Sequence, residues 1–182
     1  MKLYLAKPDI TFFEQYKDMM KEWHSSGSHI APWFLSKSVT SFDEFCKFIR
    51  MLDDCEHGIV DKRFSSTTSY FVVNNYGKLI GATSLRHYLT LEGFQTWGHI
   101  GYGVRPSERS KGYATQMLKM TIDQAREKKI YKLLLSAYEQ NIASCKIIEK
   151  CGGILENKVY IKNKNEPICR YWINALENCF EK

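Results

Sequence analysis

Gly101-Tyr102-Gly103-Val104-Arg105-Pro106-Ser107-Glu108-Arg109-Ser110-Lys111-Gly112-Tyr113-Ala114-Thr115 is the most informative stretch of this 182-residue chain. A β-type run ends at Val104, and Pro106 denies a continued ladder its donor. The loop that follows carries Arg109, Lys111 and Gly112, and an amphipathic helix then begins. Gly112 and Ala114 leave the backbone accessible where the first helical N–H groups have no partner and the macrodipole is positive. Arg105, Arg109 and Lys111 stand there against a single Glu108. The stretch reads as a strand-loop-helix cradle for a phosphate. An ordinary strand-to-helix turn with surface basics has the same local pattern, so the rest of the chain must decide. A Walker A loop is excluded because the second glycine and the Gly-Lys-Ser/Thr ending are missing. The three glycines of the dinucleotide fingerprint are missing too.

Outward from this stretch, the helix after the cradle puts Ala114, Met117, Leu118, Thr121, Ile122 and Ala125 on one face. Residues 131–137 then read as a buried strand, so strand, crossover helix and strand imply a parallel, right-handed unit. Asn141 opens a further helix that stops at Gly152-Gly153, and two last strands are expected near 154–161 and 168–173, around a turn at 163–167. On the N-terminal side, strands at 70–73, 78–89 and 94–104 form an antiparallel meander, preceded by a surface loop over 57–69. Residues 3–6 read as a first strand. Thr11-Phe-Phe-Glu14 and Ser41-Phe-Asp-Glu44 read as capping boxes opening two helices. Between those helices, residues 28–39 hold His29, Pro32, Trp33 and Phe34 without a period. They line a substrate groove or pack beneath a loop.

Composition is that of an ordinary globular chain, 44% hydrophobic and 25% charged, sized for one domain over 1–182. No apolar run approaches the ~20 residues of a membrane span, and the N-terminal sequence breaks off too soon for a signal peptide. The six cysteines include no C-x-x-C pair, so zinc is not expected and reduced thiols in a cytoplasmic protein are. Cys145 and Cys151 are expected to serve as small apolar residues. The net charge of +6 comes from scattered lysines with no nucleic-acid motif, so no nucleic acid is expected as a partner.

Arg109-Ser110-Lys111-Gly112-Tyr113-Ala114 resembles the Arg/Gln-x-x-Gly-x-Gly/Ala signature of the GNAT superfamily of N-acetyltransferases. Asn141-Ile-Ala-Ser144 with Ile148-Glu149-Lys150-Cys151-Gly152 is similar to the family's second landmark, N-x-x-S/A…EKxG. The order β-α-α-β-β-β-α-β-α-β-β matches the family over nearly the whole chain. Gly101-Tyr102 with Gly112-Tyr113-Ala114-Thr115 resembles most the ribosomal-protein N-terminal acetyltransferase branch. The resemblance implies an α/β (α+β) single domain, with a mixed, mostly antiparallel sheet holding a central parallel pair and about four flanking helices. It implies acetyl-CoA as co-substrate, no metal, transfer to a primary amine of a protein N-terminus or a small molecule, and relatives that are often homodimers.

For the cofactor, the resemblance implies a pyrophosphate held by Arg109, Ser110, Lys111, Gly112, Tyr113, Ala114 and Thr115. Val104, Asn141 and Ser144 would meet the pantetheine arm. For the chemistry, a strand splayed by a bulge can offer the Val104 N–H to the thioester oxygen. Gly101 and Gly103 suit either that bulge or a close backbone approach. His99 is the first candidate base, because imidazole titrates near neutrality. Glu108 is the other, and water relaying the proton needs neither. Ile148 stands where many members carry the tyrosine that protonates the leaving thiolate. Ser144, one turn earlier, can donate instead, and Tyr138 is a further donor. An alternative that fits the missing tyrosine is a non-catalytic acyl-CoA-binding sensor.

Overall fold

Two antiparallel sheets organise the chain, where the sequence predicts one mixed sheet. The computed structural model describes residues 1–59, 61, 65–161 and 166–177. The first sheet has the order β1 (Leu3–Ala6), β2 (Thr67–Asn74), β3 (Leu79–Arg86), β4 (Ile100–Val104). In the second, β7 (Ile168–Asn174) lies between β5 (Lys132–Tyr138) and β6 (Ile154–Val159). Among the described residues no ladder joins β4 to β5, so the expected central parallel pair is not formed. The sheets meet instead at a single bridge between Gly98 and Leu135, where the His99 N–H donates to the Leu134 carbonyl at 2.6 Å. A β-α-β pattern specifies the crossover but not whether the second strand closes onto the first.

Among the described residues, four α-helices flank the sheets: α1 (Phe13–Ser26), α2 (Phe42–His57), α3 (Tyr113–Glu127) and α4 (Ile142–Lys150). Apolar residues at helical spacing place α1 and α2 on one face of the first sheet, where Tyr16, Met19, Trp23, Phe45 and Phe48 close over Phe71 and Ala82. Val72, Ile80 and Val104 point the other way, onto Tyr113 and Met117 of α3, the bulge between β2 and β3 setting Ile80 on the face opposite Ala82. The rest of α3 packs Leu118 and Ile122 with Ile148 of α4 and Leu133, Leu135 and Tyr171 of the second sheet. Thus α3 bridges the two sheets, and its N-terminus lies where β4 runs out. Cys145 and Cys151 are buried in this same cluster, as small apolar residues.

Several boundaries differ from the sequence reading. Thr11 does not open a capping box, because Asp9 accepts from the Thr11 N–H at 2.7 Å and starts a short 3-10 turn before α1. Ser41 does cap α2, but Glu44 reaches back to Thr40, one residue beyond the box. β2 begins at Thr67, because hydroxyls are well tolerated in a strand when paired. Thr68 Oγ1 lies 2.8 Å from His87 Nε2. The third meander strand is short, since Gly93–Trp97 winds into a π-helical turn before β4. Parts of the expected loop at 57–69 and turn at 163–167 lie outside the described residues.

No helix among the described residues is long and apolar enough to cross a membrane.

Candidate cofactor cradle and active centre

The loop after β4 turns back on itself through two residues with left-handed backbone, Ser110 (φ 61) and Gly112 (φ 78). Such alternation turns successive N–H groups toward one concave side, an anion-binding nest. Gly112 is the N-cap of α3 and no side chain caps this helix. The first intrahelical bond runs from Gln116 N to Gly112 O, so the N–H groups of Tyr113, Ala114 and Thr115 are left without helical partners. A Cβ built on Gly112 meets nothing within 4 Å, so the space above the helix start is open. The arrangement fits a pyrophosphate.

The charges around it are more selective than the sequence shows. Arg105 is turned away and buried, donating to Glu22 Oε2 at 2.7 Å and Asp18 Oδ2 at 2.6 Å, so it ties the exit of β4 to α1. Lys111 is paired with Glu108 at 2.8 Å. Arg109 remains, with its Nε on the Val104 carbonyl at 3.1 Å and Nη2 on Ser28 Oγ at 2.9 Å. Tyr113 contributes main chain only, because its ring is buried in the core.

β4 itself is regular. Its pairing with β3 shows no register shift, and the bulges fall at Val72/Val73 and Leu155/Asn157. The expected bulge near Val104 is therefore absent. Arg105 N donates to Ile80 O and Arg86 N to His99 O, so alternation turns the main-chain groups of Ile100, Tyr102 and Val104 toward the other edge. Among the described residues, no ladder covers that edge beyond His99. An unpaired strand edge supplies outward N–H groups without any bulge. Gly103 and Gly101 serve close approach: a Cβ at Gly103 would lie 2.1 Å from the Ala31 carbonyl oxygen, and one at Gly101 3.2 Å from Pro32 Cβ. The α1–α2 loop is thereby pressed onto one face of β4.

On the opposite face, Tyr102 reaches from β4 to α4, its hydroxyl 2.9 Å from Ser144 Oγ. Burial pushes the Tyr102 phenol up to about 12, against a smaller lowering by the Ser144 bond, so it is protonated at any working pH. Asn141 caps α4 by accepting from the Ser144 N–H at 3.1 Å, which fixes Ser144 in the first turn. Ile148 is buried in the core, one turn further on. Tyr102 was missed in the sequence. The alternation Gly101-Tyr102-Gly103 already put its side chain on the face of the following helix, but only the fold brings Ser144 beside it.

Neither predicted base has a base's surroundings. His99 is buried, and its Nδ1 accepts from the Leu134 N–H at 2.9 Å while its own N–H bonds back to Leu134. Burial, aided by Arg86, pulls its value down to about 4. The structure makes His99 the clasp between the sheets. Glu108 is held below the usual carboxylate range by bonds from Lys111 and then Lys78, and both its oxygens are occupied. His99→Ala should cost about 1–3 kcal/mol by orphaning a buried N–H, read as a lower melting temperature. The pH profile of turnover should keep its shape. Because the folded value lies below the ordinary 6.5, the unfolded chain binds more protons in that window. Stability from this residue is complete above about 6.5 and falls as pH drops toward 4, a slope the variant should lack.

The family profile described as "Acetyltransferase (GNAT) family" matches residues 18–153. None of the curated proteins compared matches the chain significantly in sequence. Solved structures with this fold include the ribosomal L7/L12 α-N-protein acetyltransferase RimL in complex with coenzyme A, at TM-score 0.70 and 16% identity, covering 96% of this chain and 94% of that one. The microcin C7 self-immunity acetyltransferase MccE, in complex with acetyl-CoA and AMP, gives 0.68 and 16%, covering 95% and 92%. Spermidine N-acetyltransferase from Vibrio cholerae, a dodecamer, gives 0.62 and 17%, covering 95% and 94%. The profile runs from within α1, through the nest before α3, to the glycines that end α4, and the chain belongs to the GNAT family of acetyltransferases.

Proposed function

We propose that the chain is an N-acetyltransferase that moves an acetyl group from acetyl-CoA directly to a primary amine. The observation that supports this most is the uncapped start of α3 behind the Ser110–Gly112 nest, beside an uncovered edge of β4. Acetyl-CoA supplies an activated acyl group on a thiol that leaves readily. The cradle N–H groups of residues 110–115 and Arg109 bind its pyrophosphate, and Asn141 orients the start of α4. The outward N–H of Val104 or of Tyr102 stabilises charge on the thioester oxygen. The neutral amine attacks the thioester carbon, the C–S bond breaks, and the amine's spare proton passes to water. Ser144, backed by the Tyr102 phenol, donates to the departing sulfur.

The second reading, an acyl-CoA sensor, is favoured by Ile148 in the tyrosine's place and by the engagement of His99 and Glu108. Free-thiol release from acetyl-CoA across peptides, polyamines, amino acids and aminoglycosides separates the two. Amine-dependent release is expected. A rise in melting temperature with acetyl-CoA but no release with any amine would sink the enzyme reading and leave the sensor.

A further inference from the structure

A cavity of about 490 Å³ opens beside the α1–α2 loop, between Trp33, Met51 and Cys55 on one side and Arg86, Gly93 and Trp97 on the other. Its charges are not equivalent. Lys37, Asp61 and Glu92 are on exposed residues, where solvent and salt screen them. Arg86 is not. Burial lowers its guanidinium to about 10, and no carboxylate among the described residues offsets this. It has a bond from Nη1 to the Gly98 carbonyl at 3.0 Å. A desolvated cation without an acidic partner is costly, and an anion entering the cavity relieves that cost. The walls are aromatic, with Trp33 40% and Trp97 50% exposed.

The position sets the length of the occupant. Trp33 follows Pro32, which lies against Gly101 of β4, so the cavity is next to the face of the uncovered strand. Along β3, Arg86 stands three residues from Thr83, the partner of Tyr102, about 10 Å of strand. A free amino acid holds its amine and carboxylate within roughly 4 Å and does not span this. An extended peptide covers it in about four residues. A polyamine would bring its second cation to Arg86.

We propose that this cavity receives the residues following the reacting amine of a polypeptide N-terminus, and that Arg86 selects a carboxylate side chain among the first five or so. The proposal rests on the acetyltransferase reading for its amine, but it is tested separately from it. Octapeptides that are neutral except for one Glu, moved from position 2 to 6, are compared with their Gln counterparts in two assays. The first is thiol release from acetyl-CoA. The second uses the N-terminally acetylated peptides, which cannot react, and reads binding by tryptophan fluorescence.

The Glu peptide should be favoured about tenfold at position four or five, and Arg86→Gln should reduce the ratio to about one in both assays. Trp97→Ala, a change at a half-exposed side chain, should weaken binding of Glu and Gln peptides alike. Equal binding of Glu and Gln peptides by the wild type, or an undiminished ratio in Arg86→Gln, overturns the proposal whatever the turnover. Arg86-dependent binding without turnover upholds it and fails the enzyme reading instead.

Discussion

Gly112→Asp is expected to fold and to lose acetyl-CoA binding by at least about 100-fold. The left-handed φ of 78 costs a non-glycine residue about 1 kcal/mol, a loss small enough to leave the domain folded. Nothing lies within 4 Å of the new Cβ, so the side chain has room and enters the space above the uncapped N–H groups. A carboxylate about 4 Å from one phosphate charge is repelled by about 4 kcal/mol at an effective dielectric of 20. Screening reduces that figure, and the second phosphate adds to it. Gly112→Ala isolates the backbone term and should cost about tenfold or less. Calorimetric titration with acetyl-CoA, alongside a melting curve for each variant, gives the comparison. Normal affinity in a folded Asp variant would mean that the pyrophosphate sits elsewhere.

The second large effect concerns the leaving group. Ser144→Ala and Tyr102→Phe should each lower kcat by about 10- to 100-fold, at or below the lower end of the usual range for acid catalysis, because a coenzyme A thiolate leaves with little help. If the two hydroxyls act as one donor system through their 2.9 Å contact, the double variant should be little worse than either single one. Binding of acetyl-CoA should survive in Tyr102→Phe, which removes one oxygen and keeps the ring packed between the two clusters that it touches. Wild-type kcat in both variants would remove the pair from the mechanism. Multiplied effects in the double variant would leave two independent contributions and no relay.

Much of this architecture was legible residue by residue. Periodicity placed α3 and its buried face, Asn141 was readable as a cap, and the glycine of the Arg109–Ala114 stretch marked the turn into α3. The base assignment was not legible in the same way. His99 has the right titration range in isolation, and what removes it from that role is the main chain of Leu134, 35 residues away. Arg105 reads as cradle charge from its neighbours in sequence, yet it faces Asp18 and Glu22, more than eighty residues earlier. In sequence, Gly101 and Gly103 suited a β4 bulge and a close backbone approach equally, and only the fold shows that they admit Ala31 and Pro32.

Local sequence therefore determined most of the elements, their order and the uncapped turn before α3, because capping, turn chemistry and hydrophobic period act over a few residues and need no distant partner. Tertiary structure alone decided that the two sheets are bridged at the His99 clasp, that Tyr102 meets Ser144, and that Arg86 lines an aromatic cavity. Each of these depends on which side chains burial brings together from separate elements. A residue's pKa and hydrogen-bonding capacity are set by those neighbours and by the water they exclude, neither of which its own stretch of chain encodes.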